Sequence, residues 1–187
     1  TEKGQAVQLR GISTHGIAWF PDFVNQDAVT QLSKDWGANL FRIAMYTDEN
    51  GGYCTDGDKE KLKALVTDGV EYAKQADMYV IVDWHILHDS NPLTHKAEAL
   101  QFFKEMTEKL KGEKHVLYEI CNEPNSSCSW EDIKSYANEV IPVIRENAPE
   151  AVILVGTPTW SQEIDKPQNA PISGCVLYTS PSPRDRQ

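Results

Sequence analysis

The 187-residue sequence is short of positive charge and of long apolar runs. It carries 18 basic residues against 28 acidic ones, which gives a formal net charge of −10. Nucleic acids and anionic membranes are bound by basic patches, so we expect neither as a partner. No apolar run approaches the roughly 18 residues of a membrane span. No charged-then-apolar segment of the signal-peptide type opens the chain, which indicates a mature protein or a trimmed domain.

Cysteine is also scarce, and its spacing argues against a structural metal. The four cysteines, Cys54, Cys121, Cys128 and Cys175, form no C-x-x-C pair and have no histidine at zinc-finger spacing. We therefore expect neither a metal nor another cofactor. Disulfides among these cysteines stay open, because a sequence cannot pair them by itself. Residues 125–127 match a glycosylation sequon, a pattern too common to carry weight.

What the sequence does contain is a regular alternation of strands and helices. Short apolar, β-branched segments predict strands at residues 7–12, 40–45, 79–83, 116–120 and 152–155. Their starts lie 33 to 39 residues apart, and each interval holds one segment with helical periodicity. This spacing is typical of successive βαβ units in a parallel sheet.

Two α/β architectures have this spacing, an open doubly wound sheet and a (β/α) barrel. A doubly wound sheet that binds a nucleotide needs a glycine-rich turn after its first strand. Here the first strand runs into Ser-Thr-His-Gly at residues 13–16, without G-x-G-x-x-G and without a P-loop. The sequence therefore favours the barrel.

Polar and aromatic side chains stand where the predicted strands end, which is the functional face of a barrel. Each has an ordinary structural explanation when taken alone, such as a loop histidine, an ion-paired arginine or a packed tryptophan. Together they indicate a functional cleft, and their types are those of a sugar-binding site. In chain order they are His15, Trp19, Arg42, Tyr46, Asp83, His85, Asn122, Glu123 and Trp160.

The segment YEICNEPN, residues 118–125, carries the clearest chemical signal. A strand that is apolar except for Glu119 ends abruptly in Asn122, Glu123 and Pro124. Glycosidic bonds are broken by two carboxyl groups, one of which protonates the leaving oxygen. Such an acid has to keep its proton near neutral pH, which burial among aromatic side chains favours. Pro124 restricts Glu123 to extended backbone and so helps to aim its carboxyl group.

Five motifs, taken in order, resemble those of the bacterial endoglucanases of glycoside hydrolase family 5. They are LRGISTHGIAW, NLFRIAMY, YVIVDWHI, LYEICNEPN and VGTPTWSQ, and the resemblance extends from about Leu9 to Val176. The resemblance implies a (β/α)8 TIM barrel and retaining hydrolysis of internal β-1,4-glucosidic bonds in cellulose and related β-glucans, without a metal. It also implies a secreted protein whose partner is a β-glucan polysaccharide or oligosaccharide.

The resemblance further implies roles for the strand-end residues. Glu123 would be the proton donor and then the general base, and Asn122 would support it. Arg42 would orient the nucleophile carboxylate. The residues implied to contact sugar near the cleaved bond are His15, Trp19, Tyr46 and His85. A sugar contact of Trp160 is implied less directly, through the match of its loop to the family motif.

The chain departs from the family pattern at its end. Retaining enzymes need a second carboxylate about 5–5.5 Å from the first, and the family carries it on strand seven, past residue 187. The chain reaches the start of strand six at residues 175–178, and Glu163 and Asp165 do not match the nucleophile position. We therefore expect a barrel truncated after about five to six βα units over residues 1–178. Residues 179–187, TSPSPRDRQ, are expected to be a non-native or disordered tail.

Three functions stay open at this point. The chain is part of an endo-β-1,4-glucanase and inactive alone, or a non-catalytic carbohydrate-binding half-barrel, or part of a β-mannanase or xyloglucanase on the same scaffold. A barrel with missing strands has open sheet edges and uncovered apolar surface, so we also expect self-association.

Overall fold

The structure is a computed structural model that describes residues 7–174 and 177–178. The tail expected at residues 179–187 lies outside the described residues, and so do Cys175 and Val176.

Six parallel strands form one sheet whose spatial order follows the chain. They are β1 (Gly11–Ser13), β2 (Leu40–Tyr46), β3 (Tyr79–His85), β4 (Val116–Glu119), β5 (Ile153–Val155) and β6 (Leu177–Tyr178). A doubly wound sheet reverses its strand order at a switch point, and these six strands show no reversal. The prediction of a barrel-type α/β fold is therefore confirmed, with six strands of the barrel in the described ranges.

Four long helices lie between successive strands, and two short turns, Pro158–Ser161 and Lys166–Asn169, follow β5. The helices are α1 (Gln26–Trp36), α2 (Lys59–Gln75), α3 (Lys96–Lys109) and α4 (Trp130–Asn147). In three of them the residue just before the helix caps it, because its side chain accepts a hydrogen bond from a backbone N–H of the first turn. These capping residues are Asn25, Asp58 and Ser129. These caps satisfy backbone N–H groups that the helices leave unpaired.

The two faces of the sheet differ in chemistry. One face packs against the apolar sides of the helices to form the main core, which includes the fully buried rings of Trp84 and Tyr118. The opposite face, called the inner face below, begins with a small apolar layer of Ile81, Leu117 and Leu154. This layer forms the floor on which the polar residues of the inner face lie.

Toward the C-terminal strand ends the inner face becomes charged. Asp83 on β3 and Glu119 on β4 are paired in the strand register, so two carboxylates lie side by side on one face. Asp83 has 0% of its surface exposed, and Glu119 has 3%. Buried like charges need a cation between them, and Arg42 on β2 is that cation.

Some boundaries differ from the sequence-based prediction. The first strand, predicted at residues 7–12, begins only at Gly11, because the Asn39 side chain accepts the Arg10 N–H at 2.7 Å in place of a strand bond. Strand β3 extends to residue 85 instead of 83. Trp36 at the end of α1 is 74% exposed although it follows Leu32 by four residues, and Gly37 with φ 66° ends the helix directly after it.

The asparagine of the glycosylation sequon is buried, and two of the cysteine thiols ionise poorly. The side-chain amide of Asn125 is buried and donates to the backbone oxygens of Leu87 and Glu123, so it is not an acceptor for a glycan. Burial raises the pKa of the Cys54 and Cys128 thiols to about 12, which keeps them protonated and unreactive. Within the described ranges, no helix is both long enough and apolar enough to cross a membrane.

An apolar groove of about 610 Å³ lies along β1, which is an edge strand among the described residues. The groove is lined by β1, the turn Pro21–Phe23 and α1. Phe23 and Trp36 lie in it with 65% and 74% of their surface exposed. Large apolar side chains exposed beside an open sheet edge favour association with another molecule.

We predict that the 187-residue polypeptide self-associates through this groove. Replacing Phe23 and Trp36 together by Asp should shift the protein from a dimer or larger species toward the monomer, because an unpaired charge is not buried in an apolar contact. Size-exclusion chromatography with light scattering measures the mass. Ile164→Asp changes an exposed apolar residue beyond β5 and should leave the mass unchanged. A wild-type protein that is monomeric at high micromolar concentration would contradict the prediction.

Candidate active site

Arg42 is the centre of a buried polar network at the C-terminal strand ends. Its Nε donates to Glu119 Oε2 at 2.8 Å, and its Nη2 donates to Glu119 Oε1 at 3.0 Å, which makes a bidentate pair. The same Nη2 lies 2.9 Å from Asp83 Oδ2 and donates to Asn122 Oδ1 at 2.8 Å. One guanidinium on β2 therefore links β3, β4 and the loop that follows β4.

His85 closes this network into a ring. Its Nδ1 contacts Asp83 Oδ2 at 2.5 Å, and its Nε2 lies 3.1 Å from Asn122 Nδ2. Because the Asn122 amide turns its oxygen to Arg42, its nitrogen is the donor to His85. Nε2 of His85 is then the unprotonated nitrogen, and Nδ1 carries the hydrogen that Asp83 accepts. Both ring nitrogens have partners within the protein, so His85 holds Asp83 and Asn122 in orientation.

The network holds two acidic groups for one guanidinium. Burial, and after it the negative charge of Asp83, raises the pKa of Glu119 to about 7, although Arg42 acts in the opposite direction. Burial by itself would lower the pKa of Arg42, but Asp83 and Glu119 together raise it above its ordinary value. A proton taken up at Glu119 removes the net negative charge that the network would otherwise bury.

Glu123 lies just outside the network on the loop after β4, and it is half-buried. Burial raises the pKa of the Tyr46 hydroxyl, and the negative charge of Glu123 adds to this effect. The carboxylate is therefore within electrostatic range of Tyr46. Its backbone oxygen accepts the Asn125 amide at 2.9 Å, which helps to fix the loop.

The loop that carries Glu123 is tied to the loop after β5 by hydrogen bonds. In three of them the donors belong to residues 156–161, and the acceptors are backbone oxygens on both sides of the glutamate. The bonds run from Gly156 N to Cys121 O (3.0 Å), from Ser161 Oγ to Asn122 O (3.2 Å) and from Trp160 N to Pro124 O (2.9 Å).

This close approach constrains the backbone of the second loop. A Cβ atom on Gly156 would lie 2.6 Å from Cys121 O and 2.8 Å from Pro124 Cδ, so only glycine fits there. Residues 159–161 then adopt φ values of 56°, 52° and 62°, which are left-handed for three residues that are not glycine. Such residues cost about 1–3 kcal/mol each. The contact between the two loops therefore holds strained backbone in place.

A row of aromatic rings covers one side of the network. Tyr46 stacks on His85 with ring centroids 4.0 Å apart, and His15 stacks parallel to Tyr46 at 5.8 Å. Trp19 packs on Tyr46 at 4.9 Å, and its Nε1 donates to Asn50 O at 2.7 Å. Trp19 is still 38% exposed, so it offers solvent a fixed aromatic surface of the kind that suits a sugar ring.

The predicted site residues thus fall into three groups at one end of the sheet. The buried network contains Arg42, Asp83, His85 and Asn122; the aromatic row contains His15, Trp19 and Tyr46; the two linked loops carry Glu123 and Trp160. Trp160 is 45% exposed.

Sequence reasoning did not identify Glu119 as a site residue. Its spacing could have indicated this role, because Glu119 follows Leu117 by two residues on the same strand and therefore lies on the same inner face.

Comparison with known proteins identifies the family. The sequence model of the cellulases, glycosyl hydrolase family 5, matches residues 1–181. Endoglucanase A of Butyrivibrio fibrisolvens is 48% identical over 179 residues, which are 94% of this chain and 41% of that protein. The solved cellulase Cel5C_n has a TM-score of 0.92 at 44% identity and covers 96% of this chain and 58% of its own. The catalytic domain of Thermobifida fusca endoglucanase Cel5A, solved with cellotetraose, has a TM-score of 0.89 at 39% identity, with 96% and 60% covered.

The fold and the matching relatives place the chain in the class of barrel-type glycoside hydrolases. More specifically, the chain belongs to the cellulase family, glycosyl hydrolase family 5, which confirms the resemblance found in its motifs. It spans 41% of the length of the B. fibrisolvens relative and 58% and 60% of the two solved chains.

Glu119 predicts a pH dependence of stability. Its pKa in the folded protein is above the 4.5 that is ordinary for a glutamate, so the folded state binds its proton more tightly than the unfolded state does. The stability that this proton supplies is complete below about pH 4.5 and is lost as the pH rises through about 7. Urea unfolding of the 187-residue chain should therefore give a free energy of unfolding that falls over this range, and Glu119→Gln should flatten the fall.

Glu105→Gln is the matched control for this experiment. Glu105 on α3 pairs with Lys63 on α2, and the hydrogen bond from Lys63 is the main cause of its lowered pKa. Stability supplied by a carboxylate with a lowered pKa is lost only in acid. The control should therefore keep the wild-type slope above about pH 5. Parallel curves for the wild type and Glu119→Gln would show that Glu119 does not titrate in this way.

Proposed function

We propose that this chain supplies the acid–base half of the active site of a retaining endo-β-1,4-glucanase. The observation that carries the proposal is the placement of Glu123. It is a half-buried carboxylate on a strand-end loop and directly follows Asn122. The buried network binds both the side-chain oxygen and the side-chain nitrogen of that asparagine. A solvent-accessible aromatic row lies beside that network. An acid that is held in place next to a sugar platform is what glycoside cleavage requires.

The relatives support a β-glucan as the substrate. The B. fibrisolvens protein is named an endoglucanase, and the T. fusca domain was solved with cellotetraose. We propose that a β-1,4-glucan chain lies across Trp19 and Tyr46 and extends toward Trp160. The formal net charge of −10 suits a neutral polymer and disfavours an anionic one. Because such a polymer is too large to enter a cell, the proposed site of action is extracellular.

The proposed roles follow from the contacts. Glu123 protonates the leaving glycosidic oxygen and then takes a proton from the water that completes hydrolysis. The side-chain nitrogen of Asn122 donates to His85 and to the Ile86 oxygen, and its side-chain oxygen accepts from Arg42. Asn122 therefore supports the acid by fixing the start of its loop. Trp19 and Tyr46 hold the sugar ring against the site.

Binding without cleavage is a second candidate function for the 187-residue polypeptide by itself. A retaining mechanism needs a second carboxylate about 5–5.5 Å from the acid. On the inner face, Asp83 and Glu119 are buried and held by Arg42. Glu163, beyond β5, accepts a hydrogen bond from Thr159 and pairs with a lysine. Because these three carboxylates are engaged elsewhere, we propose that this polypeptide binds cello-oligosaccharides and does not hydrolyse them.

The role of Glu123 is tested in a glucanase that contains this segment within a complete barrel. Glu123→Gln should lower cellulose turnover roughly 10²–10⁴-fold, because the proton donor is lost. An aryl cellobioside with an activated leaving group needs less protonation and should lose less in the first step. Reducing-sugar release and aryl release measure the two rates. Glu131→Gln, on the exposed first turn of α4, is the control and should retain both. Equal losses on both substrates would assign Glu123 a structural role.

Sugar binding is tested on the 187-residue chain itself. Calorimetry should detect cellotetraose binding, and Trp19→Ala should weaken it about 2–10-fold, the range expected for loss of one aromatic contact of about 0.5–1.5 kcal/mol. Trp36→Ala removes a more exposed tryptophan outside the aromatic row and should leave the affinity unchanged. Circular dichroism checks that both variants fold. An unaltered affinity in Trp19→Ala would exclude Trp19 from the binding surface.

A further inference from the structure

Glu119 is an unusual residue for its position in the sheet. It lies on β4 with 3% of its surface exposed and with apolar residues before and after it in the chain. Its partner in the strand register is a second buried carboxylate, Asp83. A buried ion pair is often no more stabilising than well-packed apolar residues of similar volume. Stability alone therefore does not explain a glutamate at this point, and residues that break a local rule in this way are found at functional sites.

We propose that Glu119 is a positioning residue for the loop of the candidate acid, and that it acts through Arg42 on Asn122 and His85. The inference rests on the proposed function, because the position of this loop matters to chemistry only where Glu123 acts on a substrate. Glu119 itself touches neither the aromatic row nor the acid in any contact described above.

Glu119 sets the orientation of the guanidinium. Glu119 accepts from both Nε and Nη2 of Arg42, so the two planar groups face each other edge to edge. This bidentate geometry fixes the guanidinium plane, which a single contact with Asp83 at 2.9 Å does not. In that plane Nη2 lies 2.8 Å from Asn122 Oδ1.

The guanidinium in turn sets the orientation of the Asn122 side chain. An asparagine amide has two orientations that exchange its oxygen and its nitrogen. The fixed N–H of Arg42 requires the oxygen on one side, and His85 Nε2 with the Ile86 oxygen requires the nitrogen on the other. A flipped amide would place its NH₂ group against the guanidinium donors. Asn122 directly precedes Glu123, so this choice sets the start of the loop that carries the acid.

The test is made on the 187-residue chain with ¹⁵N-labelled histidine and asparagine. In the wild type the Asn122 Nδ2 hydrogens should exchange slowly, and His85 should show the single Nδ1–H tautomer. Glutamine at position 119 turns N–H groups toward Arg42, so at most one of the two hydrogen bonds survives. In Glu119→Gln the exchange rate at Asn122 Nδ2 should rise about tenfold or more, the effect of losing one charge-assisted hydrogen bond. The His85 spectrum should no longer show one tautomer.

Two further variants make the result specific to the network. Glu119→Asp keeps the charge and should restore part of the slow exchange at Asn122. Glu105→Gln breaks the ion pair to Lys63 between α2 and α3 and should leave the Asn122 and His85 signals as in the wild type. A structural role alone would change the unfolding free energy of the Glu119 variants without a selective change at these two side chains.

Every outcome decides the proposal. Wild-type signals at Asn122 and His85 in a folded Glu119→Gln overturn it. If that variant does not fold, Glu119→Met replaces it with the same expected result, because it removes the unbalanced buried carboxylate and leaves Arg42 paired with Asp83. If neither variant folds, Glu119 is a stabilising residue and the proposal is wrong. Because no substrate is present, a failure here leaves the glucanase proposal standing. The expected spectra together with equal losses on both substrates in Glu123→Gln of the complete barrel would reject only the glucanase proposal.

Discussion

A single guanidinium between two buried carboxylates determines how this end of the sheet is built. The strand register places Asp83 beside Glu119 on the inner face, where the repulsion between them is weakly screened. Arg42 lies against both, and in doing so it connects three neighbouring strands at the level where the site begins. The orientations of His85 and Asn122 follow from that placement, since Asn122 accepts a hydrogen bond from Arg42 and His85 is hydrogen-bonded to Asp83, which Arg42 holds.

The layers below and above this network complete the same arrangement. The apolar layer of Ile81, Leu117 and Leu154 underlies the charges and keeps their local dielectric constant low, which strengthens the hydrogen bonds among them. The aromatic row covers the ring of His85 and shields it from solvent. The inner face therefore changes from apolar to charged to aromatic along the strands, and the aromatic layer and Glu123 are more open to solvent than Asp83 and Glu119.

Much of the fold could be predicted from the sequence because the relevant signals are local. Apolar runs spaced 33 to 39 residues apart predicted the strands, and parallel topology then brought the ends of distant strands to one side. The orientation of Glu119 was also accessible, because it follows from alternation along β4. The start of β1 was not, since it depends on the side chain of Asn39 from another part of the chain. The exposure of Trp36 depended on which elements cover the sheet edge, and periodicity carries no information about that.

The hydrogen-bond ring and the contact between the two loops were beyond sequence reasoning for a similar reason. The motifs placed Asn122, Glu123 and Trp160 at strand ends, but they did not show which backbone oxygens meet which donors. Gly156 looks like an ordinary loop glycine in the sequence. The position requires glycine because the carbonyl oxygens of Asn122 and Cys121, more than 30 residues earlier in the chain, would lie within about 2.6 Å of a Cβ atom there.

The pairing of these two loops determines how this enzyme family can be recombined. A chimera joined within α4 would take residues 121–124 from one parent and residues 156–161 from another. The hydrogen bonds across the loops and the tight fit at Gly156 would then be formed by backbones from two different parents. Crossover points therefore belong before Cys121 or after Ser161, so that both loops are inherited as one block.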